Sequence, residues 1–250
     1  MYLLIDAGNT RLKFACHDGR EWLLRDSLLS PEELPEKLPA GFQPSRILVS
    51  CVAGEEFAEH LRQALSCFAA PLEFLRSSAQ RCGVLNRYHT PGSLGTDRWA
   101  SAIGAWHQQH TDCLLICAGT ATTIDIVRAP GEFSGGCILP GLSLMLDSLA
   151  HRTAALPRAA ADISPAALAE IPRDTRAAIA AGCLHAQLGA IERMRTQLPP
   201  DTPILVAGGN AESLIPHLAG YVHHTPWLVM DGLLIIAQTA LLEDRFNENS

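Results

Sequence analysis

Two apolar runs of nearly the same pattern open the two halves of the chain. Leu3-Leu4-Ile5-Asp6-Ala7-Gly8-Asn9-Thr10 recurs as Leu114-Leu115-Ile116-Cys117-Ala118-Gly119-Thr120-Ala121. Each run reads as a buried strand ending in an Ala-Gly turn. Each is followed by apolar-polar alternation, Arg11-Leu12-Lys13-Phe14-Ala15 in the first copy and Thr123-Ile124-Asp125-Ile126-Val127 in the second. Alternation with period two after a glycine turn predicts a hairpin. An offset of about 110 residues is too long for a solenoid repeat and predicts two copies of one domain, 1–110 and 111–250.

Further along, hydrophobic spacing predicts a mixed series. In the first half, a strand is expected over Arg46–Cys51, a helix over Glu55–Ser66, a short strand over Leu72–Leu75 and a helix over Thr96–Gln108. In the second, a strand is expected over Glu132–Leu139 and helices over Gly141–His151 and Asp174–Gln197, the latter with Asp174 or Thr175 near its N-cap. A strand over Pro203–Ala207, a helix over Asn210–Leu218 and an apolar helix over Gly232–Glu243 capped by Asp231 complete the series. Residues 154–172, rich in Ala and Pro, read as a loop with short helical turns, and the tail 247–250 as frayed. Strands alternating with helices predict an α/β fold with parallel pairing and helices on the sheet faces.

Composition narrows the function classes. Of 250 residues, 48% are hydrophobic and 18% charged, enough apolar content for a sizeable core. A net charge of −7 argues against a nucleic-acid partner held by phosphate neutralisation. No stretch approaches the ~20 continuous apolar residues that span a bilayer, so no membrane partner is expected. The N-terminus meets Asp6 after a short apolar run and lacks a basic leader, so a cytoplasmic protein is expected. The eight cysteines form no CxxC pair, which predicts buried free thiols rather than zinc ligands.

The sequence has neither GxxxxGK[ST] nor GxGxxG, which removes the P-loop and dinucleotide-fold routes to phosphate. The two glycine turns remain. A tight turn exposes N–H groups that can converge on phosphate oxygens, with hydroxyls from Thr10 and Thr120 and a charge from Lys13 to help. Asp6 ends a buried strand, where an acid is costly without a partner. A hydrated Mg²⁺ bridging to nucleotide phosphate would supply one; an ordinary turn former is the other reading. Duplication favours the phosphate reading: two related domains, each with a glycine hairpin, form a clamp across a cleft. That arrangement resembles the actin, sugar-kinase and Hsp70 superfamily. Ile204-Leu205-Val206-Ala207-Gly208-Gly209-Asn210-Ala211 is a third glycine element, suited to close approach of an adenosine.

Tyr88-His89-Thr90-Pro91-Gly92-Ser93-Leu94-Gly95-Thr96-Asp97-Arg98-Trp99 packs an acid and a base into a turn that opens a helix. With Asp6 to Lys13, with Gly119-Thr120-Ala121-Thr122-Thr123 and Asp125, and with Gly135-Gly136, Pro140-Gly141, Thr175, Gly182, Gly208-Gly209-Asn210 and Asp231-Gly232-Leu233, it closely resembles type III pantothenate kinases over essentially the whole chain. The resemblance implies ATP-dependent phosphorylation of pantothenate, the first step of coenzyme A synthesis, by a homodimer. It implies that Asp6, Ala7, Gly8, Asn9, Thr10, Arg11, Leu12 and Lys13 form one phosphate loop and that Thr120 lies in a second. It also implies a pantothenate pocket of Tyr88, Gly95, Thr96, Asp97, Arg98 and Thr175, with Asp97 the general base and Arg98 on substrate carboxylate or developing charge.

Two departures stand out. Cys117 occupies a position where many family members carry Asp, an expected ligand of a monovalent cation, K⁺ or NH₄⁺; a neutral thiol is a poor ligand for so hard an ion. Thr90-Pro91 stands where Asn-Pro is usual. Two other readings stay open: a non-catalytic accessory protein on the same fold, and a sugar or polyphosphate kinase or phosphatase of the same superfamily.

Overall fold

A computed structural model describes residues 1–152, 164–165 and 170–248, without side chains for 150–152 and 241–248. Most of the expected 154–172 loop, and the end of the expected frayed tail, lie outside the described residues. The chain divides into two compact units, 1–108 with 227–250, and 109–226.

In the first unit, strands β1 (Tyr2–Ala7), β2 (Leu12–His17) and β3 (Trp22–Leu28) form an antiparallel meander. After the short helix α1 (Leu34–Lys37), β4 (Arg46–Cys51) runs parallel to β1. Helix α2 (Glu55–Ala64) then leads to β5 (Leu72–Phe74), parallel to β4. The sheet order is β3-β2-β1-β4-β5. Alternation along β1, β2 and β4 sends Leu3, Ile5, Phe14, Ile47 and Val49 into a core with Leu61 of α2. A small hairpin, β6 (Gln80–Arg81) with β7 (Val84–Asn86), precedes helix α3 (Thr96–Gln109).

The second unit repeats the plan. Strands β8 (Cys113–Ala118), β9 (Ala121–Arg128) and β10 (Glu132–Pro140) form an antiparallel meander. Helices α4 (Leu142–Arg152) and α5 (Thr175–Arg195) lead to β11 (Ile204–Ala207), parallel to β8. Helix α6 (Ala211–Leu214) leads to β12 (Val222–His224), parallel to β11. The order β10-β9-β8-β11-β12 matches the first sheet strand for strand, in sequence and in sense. Leu114, Ile116, Ile124 and Ile126 pack with Leu142, Leu184 and Ile191 in the second core. Asp174 caps α5, its Oδ1 accepting from the Ala177 N–H at 3.0 Å.

The expected hairpin opens each sheet and parallel pairs follow it, so the pairing is mixed. Several expectations are corrected. The expected second domain, 111–250, loses its last helix, α7 (Leu228–Glu248), which packs on β1 and β4 of the first unit. Its apolar side buries Leu228, Leu233, Ile236 and Ala237, and at Gly232 its backbone lies directly against the Ala100 carbonyl of α3. Any β-carbon at Gly232 would collide with that fixed carbonyl, so only glycine permits the crossing. Asp231 does not cap this helix, which starts three residues earlier. The helix expected over Asn210–Leu218 is one short turn of α-helix followed by a 3₁₀ turn over Ile215–His217. Of the thiols, Cys16, Cys113 and Cys183 are buried, four are half-buried and Cys67 is exposed, so burial is less general than expected.

Candidate active site

Register assembles the first part of the site. Asp6 lies opposite Lys13 across β1/β2 and opposite Ser50 across β1/β4. Directly opposed residues share a face of the sheet, so Lys13, Asp6 and Ser50 form a row ending beside the Gly8 turn. That turn is closed by the Gly8 N–H donating to the Arg11 carbonyl at 3.2 Å, with Asn9, Thr10 and Arg11 exposed. Ala7 and Leu12 are fully buried and anchor it.

The second part comes from the start of α3. Gly95 accepts the Trp99 N–H at 3.0 Å, which begins the helix. Thr96 and Asp97 follow in its first turn, half-buried. The Thr96 hydroxyl lies 3.0 Å from that of Ser50, and Ser50 also hydrogen-bonds to Asp6. When Asp6 is ionised it can only accept, and in that state Ser50 gives its proton to Asp6 and takes one from Thr96. Asp97 Oδ1 accepts the Arg98 N–H at 2.8 Å. The Arg98 side chain is 6% exposed and donates to the Tyr88 hydroxyl at 2.7 Å. Tyr88 is itself tied down where its N–H meets Asn86 Oδ1 at 3.1 Å.

Asp6 and Asp97 feel each other. Burial, then the Asp97 charge, pushes the Asp6 carboxyl up to about 7, against the opposing pull of Lys13 and Ser50. Asp6 Oδ1 is sealed from solvent and has no hydrogen-bond partner. An unpartnered buried carboxylate oxygen beside a second carboxylate fits a hydrated divalent cation, because Mg²⁺ keeps several waters and needs only one or two carboxylates. Among the described residues no three His, Cys, Asp or Glu side chains gather into a metal-binding group.

Gly95 has a local reason. A β-carbon there would stand 2.7 Å from Asp97 Oδ1. That oxygen ends a rotatable side chain, so the fold can tolerate the methyl, but Asp97 cannot stay in place. Gly95→Ala is expected to change Tm little yet lower turnover by about 10-fold or more, because it displaces Asp97, the general base that the family resemblance implies, and small misplacements of such a group are costly. Thermal melts beside steady-state kinetics check it; equal losses of stability and activity would contradict it.

Thr120, Cys117 and Thr175 lie in the second unit. Thr120 sits in the β8/β9 turn, closed by the Gly119 N–H to the Ala121 carbonyl at 3.0 Å. Two loops brace this turn: Gly141 N–H donates to the Thr120 carbonyl at 2.8 Å, and Asn210 donates from its N–H to Ala118 at 2.9 Å and from Nδ2 to Gly119 at 3.3 Å. Cys117 is half-buried near the end of β8, opposite Thr123. Thr175 is exposed at the start of α5.

Sequence reasoning missed Ser50, whose signal is a lone hydroxyl in the buried run Ile47-Leu48-Val49. It also missed a cationic cluster behind Lys13. Lys13 Nζ lies 5.6 Å from the Trp227 ring centroid, and the Arg25 guanidinium lies 6.0 Å from that ring and 4.0 Å from Trp22.

A type III pantothenate kinase profile matches residues 2–197. The chain belongs to the type III pantothenate kinase family. A family member from Aromatoleum aromaticum is 40% identical over 95% of this chain and 98% of its own. Another, from Janthinobacterium sp. (strain Marseille), is 42% identical over 95% and 97%. Among solved structures, a Campylobacter jejuni protein assigned to the Baf family of transcriptional activators aligns with a TM-score of 0.62 at 21% identity, over 95% of this chain and 98% of that one. A Sinorhizobium meliloti protein assigned as a 2-dehydro-3-deoxygalactonokinase aligns equally well, at 0.62, with 12% identity over 96% and 99%. Those two likenesses speak to fold alone and place this pantothenate kinase family member on the sugar-kinase fold.

Proposed function

We propose that the protein transfers the γ-phosphoryl group of ATP to the hydroxyl of pantothenate, giving 4'-phosphopantothenate for coenzyme A synthesis. One observation carries the site: buried, unpartnered Asp6 Oδ1 beside Asp97, at the foot of the Gly8 turn. Mg²⁺, when bound, neutralises phosphate charge and orients the transferring group. Asp6 would hold that ion through water. The Gly8 to Lys13 turn would bind phosphate oxygens, with Lys13 as a point charge.

Asp97 is the general base. Its carboxylate accepts the hydroxyl proton as the acceptor oxygen attacks, a role an Asp fills because the transition state is loose and asks little of the base. The Arg98 N–H on Oδ1 fixes one oxygen and steadies the carboxylate. Arg98, buried and hydrogen-bonded to Tyr88, presents a guanidinium suited to the pantothenate carboxylate. Gly95 and Thr96 complete that wall. A nucleotide-consumption assay with pantothenate, with a panel of sugars and with no acceptor tests the reading. Consumption only with pantothenate is expected; a sugar-driven rate would favour the sugar-kinase alternative, and none at all the accessory-protein one.

The acting form is a cytoplasmic homodimer. Support for the dimer comes from exposed Ile138, Leu144 and Leu149 in the second unit. A dimer is expected in sedimentation at micromolar concentration, and a monomer there would contradict it.

Cys117 bears on the monovalent cation. A thiol removes one anionic oxygen from the place where the family's cation is expected. Little stimulation by K⁺ or NH₄⁺ is therefore expected, and Cys117→Asp should gain it. Titrating K⁺ against a choline background checks both; half-saturation at millimolar K⁺ in the unmodified protein would show that other ligands suffice.

A further inference from the structure

We infer that Trp227 is a positioning residue for Lys13, holding its ammonium at the phosphate turn through the face of the indole ring. This rests on the reading of the Gly8 to Lys13 turn as a phosphate site. Lysine carries four rotatable bonds and a compact charge, so an unrestrained ammonium spends little time at any one point. Trp227 stands just ahead of α7, half-buried, with the Lys13 Nζ 5.6 Å from its ring centroid, within cation–π range.

A second cation shares the ring and would oppose the first. The Arg25 guanidinium lies 6.0 Å from the Trp227 centroid. Two features draw it away. It sits 4.0 Å over the Trp22 ring, and its Nη2 pairs with Asp231 Oδ1 at 3.2 Å. Asp231 is fixed in turn by Gln108 Nε2 at 3.0 Å on Oδ2, and its N–H donates to the Trp227 carbonyl at 3.0 Å. The Arg25 charge is thus balanced by a carboxylate one helical turn from the ring, which leaves the indole face to Lys13. Lys13 lies opposite Asp6 in the β1/β2 register, so a lysine held by Trp227 is held next to the proposed metal carboxylate.

The test is nucleotide affinity, measured by calorimetry with Mg²⁺ and a non-hydrolysable ATP analogue, alongside steady-state kinetics. Trp227→Leu should weaken nucleotide binding and raise its KM by about 3-fold to 10-fold, the scale of one cation–π contact. The KM for pantothenate should hold. Trp227→Phe, with a weaker π-face, should fall between the two, and it decides the matter if the Leu variant does not fold. Lys13→Met should weaken nucleotide binding, and adding Trp227→Leu to it should cost nothing further. Unchanged nucleotide affinity in the Trp227 variants, or an additive loss in the double variant, overturns the inference while leaving the phosphate turn intact. Unchanged affinity in Lys13→Met overturns the reading of the turn and the inference with it.

Discussion

Asp97→Asn is expected to lower turnover by about 10²–10⁴-fold, the scale of a lost general base. The substitution keeps the size and the side-chain oxygen that accepts the Arg98 N–H, so the first turn of α3 should survive. What goes is the carboxylate proposed to take the hydroxyl proton. Nucleotide binding should persist, because the proposed phosphate contacts belong to other residues. Removing Asp97 also removes a negative charge that raises Asp6, so Mg²⁺ affinity should change by far less than the rate. Near-normal turnover would reduce Asp97 to an acid favoured by the helix dipole.

Asp6→Asn should separate stability from activity. The ordinary aspartate value is 3.8; burial and the Asp97 charge carry Asp6 to about 7 in the fold. A group raised in the folded state binds its proton more tightly there than in the unfolded chain. The stability this provides is complete below about 3.8 and is lost as pH rises through 7. Above that, the ligand-free protein holds a charge in a poor setting, at a cost of roughly 4 kcal/mol or less. Asparagine removes the charge. In the absence of metal and nucleotide, the variant's Tm at pH 8 should therefore exceed the wild type's by about 5–10 °C, and the gain should vanish near pH 4. Turnover should fall by more than about 10²-fold, because the proposed metal carboxylate is gone. A variant less stable than wild type at pH 8 would mean that Asp6 is satisfied in the free protein.

Much of this arrangement is legible in the sequence because it is local. Ala-Gly turns after apolar strands locate both hairpins, and Asp174 announces the start of α5. Contacts between distant residues are not legible. The α7 helix follows the second unit in sequence, yet its apolar face packs on β1 and β4, which lie far earlier in the chain, so proximity along the chain misplaces it. Strand β3 escapes because Trp22-Leu23-Leu24-Arg25-Asp26-Ser27-Leu28 does not alternate; it is an edge strand with both faces partly exposed. Asp6 reveals itself as an acid at a buried strand end, while Ser50 reads as a small residue in a strand until the β1/β4 register sets it beside Asp6. The Lys13, Trp227, Arg25 and Asp231 cluster joins the two ends of the chain, and no spacing rule brings those ends together.

The central claim is that the Asp6 and Asp97 carboxylates serve phosphoryl transfer to the pantothenate hydroxyl. Mass spectrometry of a single turnover, with ATP, Mg²⁺ and pantothenate saturating, tests it most directly. The account predicts 4'-phosphopantothenate from the wild type, only a trace in the same time from Asp97→Asn, and nucleotide still bound to that variant. Phosphopantothenate formed at the wild-type rate by Asp97→Asn, or none from the wild type, would contradict it.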